Sequence, residues 1–178
     1  MLEKTGAKSI VVAIAGAPNV GKSTVFNLLT GLSQHVGNWP GKTVEQKTGT
    51  LQRSNLTINF VDLPGTYSLT ANSTEEKIAR DYLVKENPDV VVAVLNAASL
   101  ERNLYLMAEL IELAPRMVIA LNMMDVAHQQ GKKTNAAALS DALNIPVVPI
   151  TASKNRGLTE LIDRVIAEYN RPGGLREV

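Results

Sequence analysis

Residues 16–24 read Gly16-Ala17-Pro18-Asn19-Val20-Gly21-Lys22-Ser23-Thr24, directly after the apolar run Ile10 to Ala15. No other part of the chain constrains the fold as much, because such a loop works only where a strand delivers a tight turn into the start of a helix. Its glycines let successive backbone N–H groups point inward around a polyphosphate, where a side chain would clash or be forced into unfavourable dihedrals. Lys22 supplies a fixed cation for β- and γ-phosphates, and the Ser23 hydroxyl is placed to ligate magnesium.

Beyond this loop, apolar runs alternate with helical patterns, the signature of a parallel sheet with crossover helices. Strands are expected near Ile10 to Ala15, Leu56 to Val61, Val90 to Leu95, Met117 to Leu121 and Val147 to Ile150. Helices are expected near Lys22 to Thr30, Glu75 to Lys85, Glu101 to Leu113, Ala136 to Leu143 and Leu158 to Tyr169. Val44 to Arg53 alternates and is rich in charge, which suits an edge strand. Gln34 to Gln46 is glycine-rich, lacks periodicity and reads as a long loop, of a length that is usually functional or disordered. The spacing of Leu104, Met107, Leu110 and Ile111 places them on a core-facing helix surface. Lys132-Lys133 reads as a solvated turn.

Three further motifs fall at strand ends, where ligands bind in open α/β sheets. Asp62-Leu63-Pro64-Gly65 offers an aspartate that can hold magnesium through water, and a glycine N–H that can approach a γ-phosphate. Asn122-Met123-Met124-Asp125 resembles the guanine-reading Asn-Lys-x-Asp motif of GTPases, whose carboxylate, here Asp125, can accept hydrogen bonds from the N1–H and exocyclic amine of guanine. Adenine presents a lone pair there instead, and an unpaired carboxylate is expensive to bury. Thr151-Ala152-Ser153, again at a strand end, resembles the Ser-Ala-x motif of GTPases, whose backbone contacts the guanine oxygen. Together the motifs predict an α/β fold of the P-loop NTPase class: a Ras-like G domain with a mostly parallel sheet, helices on both faces, and GTP or GDP as ligand.

Composition narrows the alternatives. With 18 basic and 17 acidic residues and a net charge of +1, the chain has no electrostatic case for binding nucleic acid. It has no cysteine and two histidines, His35 and His128, which are expected to be exposed and form no cluster of metal ligands. No segment approaches the apolar length of a membrane span, so the chain as given is expected to be soluble.

The stretch His35-Val36-Gly37-Asn38-Trp39-Pro40-Gly41-Lys42-Thr43-Val44-Glu45 resembles the first switch of the ferrous iron transport protein B family. The resemblance continues through Asp62 to Leu69, Glu75 to Leu83 and Leu100 to Leu106, and covers nearly the whole chain. Trp39 lies inside a Gly-Asn-x-Pro-Gly turn, which favours a switch residue over a core one. The resemblance implies a cytosolic GTPase domain, here 1–170, followed by a linker at 171–178 toward helical and membrane domains of a parent iron transporter. It also implies a place on the cytoplasmic face of the inner membrane, and leaves self-association of the full protein open. Gly41, Lys42 and Thr43 fall in the switch, with Thr43 completing the magnesium shell alongside Ser23 and Asp62. Asn19 corresponds to the family's potassium-binding asparagine, and a turn residue is the alternative.

Hydrolysis is expected to rest on Lys22, Thr43, Gly65 and Asn19, with positioning and charge stabilisation doing most of the work. Thr66 stands where many GTPases carry a water-orienting glutamine, so turnover should be slow. Met123 replaces the usual lysine, so guanine nucleotide should bind more weakly and leave faster. Ala17 and Lys42 depart further from the family's pattern. Two other readings are a regulatory switch that uses nucleotide state without energy coupling, and a translation or tRNA-modification GTPase.

Overall fold

The computed structural model describes residues 8–114 and 116–172. Its seven strands form one sheet in the order β2-β3-β4-β1-β5-β6-β7. The strands are β1 (Lys8–Gly16), β2 (Gln34–Asn38), β3 (Glu45–Arg53), β4 (Leu56–Asp62), β5 (Val90–Asn96), β6 (Met117–Asn122) and β7 (Val147–Pro149). From β4 to β7 every pairing is parallel, while β2 and β3 run antiparallel. The helices are α1 (Lys22–Thr30), α2 (Thr74–Asp81), α3 (Leu104–Leu113), α4 (Met124–Gln129), α5 (Ala136–Leu143) and α6 (Leu158–Asn170).

Alternation along the central strands sorts side chains into two cores. Ile10, Val12 and Ile14 of β1, with Val90, Val92 and Val94 of β5, pack against Phe26 of α1 and Leu161 and Val165 of α6. The intervening Ala13, Ala15, Val91, Ala93 and Leu95 face the other way, against Ile78 of α2 and Met107 and Leu110 of α3. Strands buried on both faces lose the polar half of the alternating pattern, which is why they read as continuous apolar runs.

Several expectations need correction. Val44 to Arg53 is not an edge strand, because β2 pairs outside β3. The stretch Gln34 to Gln46 is accordingly a hairpin: β2 occupies Gln34–Asn38, and only residues 39–44 form the connection. Nearly all of β2 is exposed, so no apolar face marked it as a strand. Leu104 is 47% exposed and lies off the core-facing stripe, which is carried by Leu106, Met107 and Leu110. The Glu75 to Lys85 helix divides into α2 and a π-helical turn, Tyr82–Glu86. The Glu101 to Leu113 helix divides into a 3₁₀ stretch, Ala97–Asn103, and α3. The Lys132 ammonium is not merely solvated, since it donates to the Ala98 carbonyl.

α2 starts where its capping chemistry sets it. The Glu76 N–H donates to Ser73 Oγ at 3.1 Å, and Glu76 Oε2 accepts from Ser73 N at 3.3 Å and from Asn72 N at 2.8 Å. That reciprocal box satisfies N–H groups that no helical carbonyl can reach. Among the described residues no helix is long and apolar enough to cross a membrane. The linker expected at 171–178 lies outside the described residues from 173 onward.

Candidate nucleotide site

β1 ends at Gly16 and α1 begins at Lys22, so the loop between them sits at the carboxyl edge where strand order reverses around β1. Asn19 and Gly21 take left-handed backbone angles, φ 64° and 87°. At Gly21 this conformation suits glycine alone, because a Cβ there would also lie 2.3 Å from Asn122 Nδ2. The result is a cavity of about 290 Å³ lined by Ala17, Pro18, Asn19, Gly21, Lys22, Ser23, Thr24 and Gly65. Val20 turns away into the core.

At the cavity's base the Lys22 ammonium pairs with the Asp62 carboxylate, and both residues are buried. Burial pushes the Asp62 carboxyl above its ordinary value, and the neighbouring ammonium pulls it back without cancelling the effect. A buried ion pair is weak grounds for stability, since desolvation offsets most of the attraction. Here it places two opposite charges side by side next to the cavity. Leu63 and Pro64 carry the chain on to Gly65, with the Leu63 N–H donating to Ile14 O at 3.0 Å. The Thr66 N–H donates to Gly16 O at 3.3 Å, and Thr66 is buried.

The residues expected to contact a base are tied to this loop through Asn122. Asn122 Nδ2 donates to Val20 O at 3.0 Å, and Asn122 Oδ1 accepts from Ala152 N at 3.0 Å. Thr151, Ala152 and Ser153 are thereby fixed beside the phosphate loop, with the Ala152 amide already engaged. Met123 has φ 62° and places its methyl carbon 3.7 Å from the position of a Cβ on Gly21. Asp125 lies in the first turn of α4 and pairs with Lys154 at 2.9 Å, a partner absent from the sequence reading. Hydrogen bonding from Lys154 holds the Asp125 carboxyl below its ordinary value. The signal available was Lys154 following Thr151-Ala152-Ser153 directly, but only the fold brings it to Asp125.

The first switch is held apart. Gly41, Lys42 and Thr43 are exposed on the hairpin connection, and Thr43 does not line the phosphate cavity. That connection is closed by Trp39 N donating to Val44 O and Lys42 N donating to Trp39 O, both at 2.9 Å. The expectation that Trp39 is not a core residue fails: it is 7% exposed and meets Tyr82 edge-on, ring centroids 5.5 Å apart. Ser23 therefore lines the cavity and Asp62 stands behind it on Lys22, while Thr43 stands off on its loop. His35 and His128 are exposed.

A family model described as ferrous iron transport protein B matches residues 10–165. The chain belongs to this family. A curated relative, the Fe(2+) transporter FeoB of Shigella flexneri, is 43% identical over 170 residues, which cover 92% of this chain and 22% of the relative. This chain thus spans 22% of the length of that relative. The solved G domain of the T. maritima FeoB iron transporter superposes with a TM-score of 0.86 at 43% identity, covering 92% of this chain and 99% of that one. The cytosolic domain of the same transporter in its GMPPNP form gives a TM-score of 0.88 at 42% identity, covering 95% and 67%. The chain thus shares its fold with FeoB G domains.

Proposed function

We propose that this chain is the guanine-nucleotide-binding and hydrolysing domain of a ferrous-iron membrane transporter, working at the cytoplasmic face of the inner membrane. The observation that carries the reading is the Lys22–Asp62 pair at the base of a glycine-lined cradle that Asn122 ties to the base-reading loop. The cradle fits a nucleotide phosphate, since Gly21, Lys22, Ser23 and Gly65 line it and the start of α1 presents free N–H groups. Further support comes from the family neighbour solved with the GTP analogue GMPPNP. Residues 171–178 are read as the linker to the helical and membrane domains of the parent protein. Iron is cargo there, not a ligand of this domain.

In the proposed reaction Lys22 leaves Asp62 for the β- and γ-phosphates, and Gly65 offers its N–H to the γ-phosphate. Ser23, Asp62 and an incoming Thr43 would hold magnesium, which when bound neutralises charge on the transferred group. Asn19 borders the phosphate cavity and is the residue that would hold potassium. Asp125 reads the guanine edge, with Met123 over the phosphate loop in place of a lysine. Thr66 is buried and bonded to Gly16, so water is left to backbone groups of the first switch and turnover is slow.

The stand-off of Thr43 favours a second reading beside the first, a switch in which nucleotide state moves the 39–44 connection between two positions. The deciding experiment is GTP hydrolysis in potassium against sodium, with ATP as control and Asn19→Ala in parallel. Faster turnover in potassium, lost in the variant and absent with ATP, supports the cation-assisted GTPase. Equal slow rates in both salts remove Asn19 from the mechanism and leave the switch.

A further inference from the structure

A second cavity of about 160 Å³ adjoins the phosphate cavity and shares Asn19 with it; its other walls include Tyr67, Ser99, Arg102 and Asn103. None of the last four belongs to a nucleotide motif. The Arg102 guanidinium lies 5.9 Å from the Tyr67 ring centroid, within the range for attraction between a cation and a ring face. Tyr67 follows Gly65 and Thr66 directly and is 46% exposed. A ring that open has little packing of its own to hold it, so a guanidinium against it limits where the turn can go.

Arg102 is itself placed by a polar framework. Ser99, at φ −143° and ψ 49°, breaks the 3₁₀ stretch and redirects the chain between Ala98 and Arg102. Buried Asn103 accepts from Asn96 N at 2.9 Å, and Asn96 Oδ1 accepts from Ala98 N at 2.8 Å. Lys132 and Thr134, from beyond the base-reading α4, donate to the Ala98 and Ala97 carbonyls. In α3, which follows directly, Glu109 accepts from Leu69 N at 2.7 Å. The segment from Gly65 to Leu69 is thus gripped at two points by two consecutive elements, through a ring and through a backbone N–H.

We propose that Arg102 is a positioning residue for GTP hydrolysis, holding the Gly65–Tyr67 turn at the lip of the phosphate cavity by its contact with Tyr67. The inference rests on the hydrolysis reading above. Gly65 would meet a γ-phosphate, which GDP lacks, so loosening this turn acts on turnover and on triphosphate binding but spares GDP.

The test is steady-state GTP turnover by wild type, Arg102→Ala, Arg102→Lys, Tyr67→Phe, Tyr67→Leu and the Arg102→Ala/Tyr67→Leu double variant, with Kd for GDP and GMPPNP measured alongside. Arg102→Ala and Tyr67→Leu are each expected to lower kcat by roughly three- to ten-fold, with the GDP Kd held within about twofold. Tyr67→Phe keeps the ring face and behaves as wild type, Arg102→Lys falls between, and the double variant is no slower than either single one. Unchanged turnover in Arg102→Ala, additive losses in the double variant, or an equal loss of GDP affinity would overturn the proposal. A wild type that hydrolyses no GTP would instead overturn the hydrolysis reading. The ratio of GMPPNP to GDP affinity then decides on Arg102: a ratio lowered in Arg102→Ala keeps its hold on the turn, and an unchanged ratio removes it.

Discussion

The side-chain nitrogen of Asn122 lies against Gly21 so closely that a Cβ on the glycine would come within 2.3 Å of it. The same nitrogen donates to Val20 O at 3.0 Å, so this amide joins the 16–24 loop to the end of β6. Any side chain at position 21 must displace the amide that joins the two halves of the site.

Gly21→Ala is therefore expected to unfold more easily and to lose nucleotide affinity together. The left-handed φ of 87° disfavours alanine, and displacing Asn122 leaves buried polar groups unpaired. Together these cost about 2–4 kcal/mol. Denaturant unfolding with and without GDP checks both effects; an unchanged midpoint would mean that the loop relaxes freely.

The Asp125–Lys154 pair gives a pH signature. A carboxyl held below its ordinary value of 3.8 in the folded protein contributes stability above that pH, and loses it as pH falls through the lowered value. Lys154→Ala should lower the Tm at neutral pH by a small amount, and the difference from wild type should vanish in strong acid. Tm measured from pH 2 to 7 tests it. A gap that widens toward acid would contradict the assignment.

Trp39 is the chain's one tryptophan, and it reports on the connection that carries Thr43. Among the described residues its buried indole N–H has no hydrogen-bond partner, at a cost of about 1–3 kcal/mol, so the docked position against Tyr82 is only moderately favoured. If a triphosphate draws Thr43 inward, the indole must leave Tyr82. GMPPNP with magnesium should shift the emission to longer wavelength, GDP should not, and Thr43→Ala should abolish the shift. Identical spectra with both nucleotides would separate Thr43 from the γ-phosphate.

Ser73→Ala removes half of the capping box that starts α2 and should destabilise the domain by about 1 kcal/mol. Thermal unfolding measures it, with Thr70→Ala outside the box as the control expected to stay near wild type.

The sequence exposed those elements whose packing leaves a local trace. β5 reads plainly because both of its faces are buried, and α1 because it follows the phosphate loop without interruption. β2 did not, since its side chains are largely in water and its pairing with β3 involves only backbone groups. α4 escaped as well, being a short helix entered from a methionine in the left-handed region.

By itself, then, the sequence determined the phosphate loop, the order of the four nucleotide motifs and the parallel core, because each depends on residue types a few positions apart. Tertiary structure alone decided that Trp39 docks on Tyr82, that Lys154 reaches Asp125, and that Arg102 meets Tyr67. These partners are brought together by strand order and helix packing. Nothing in the spacing of residues along a chain encodes which loop ends share one edge of a sheet.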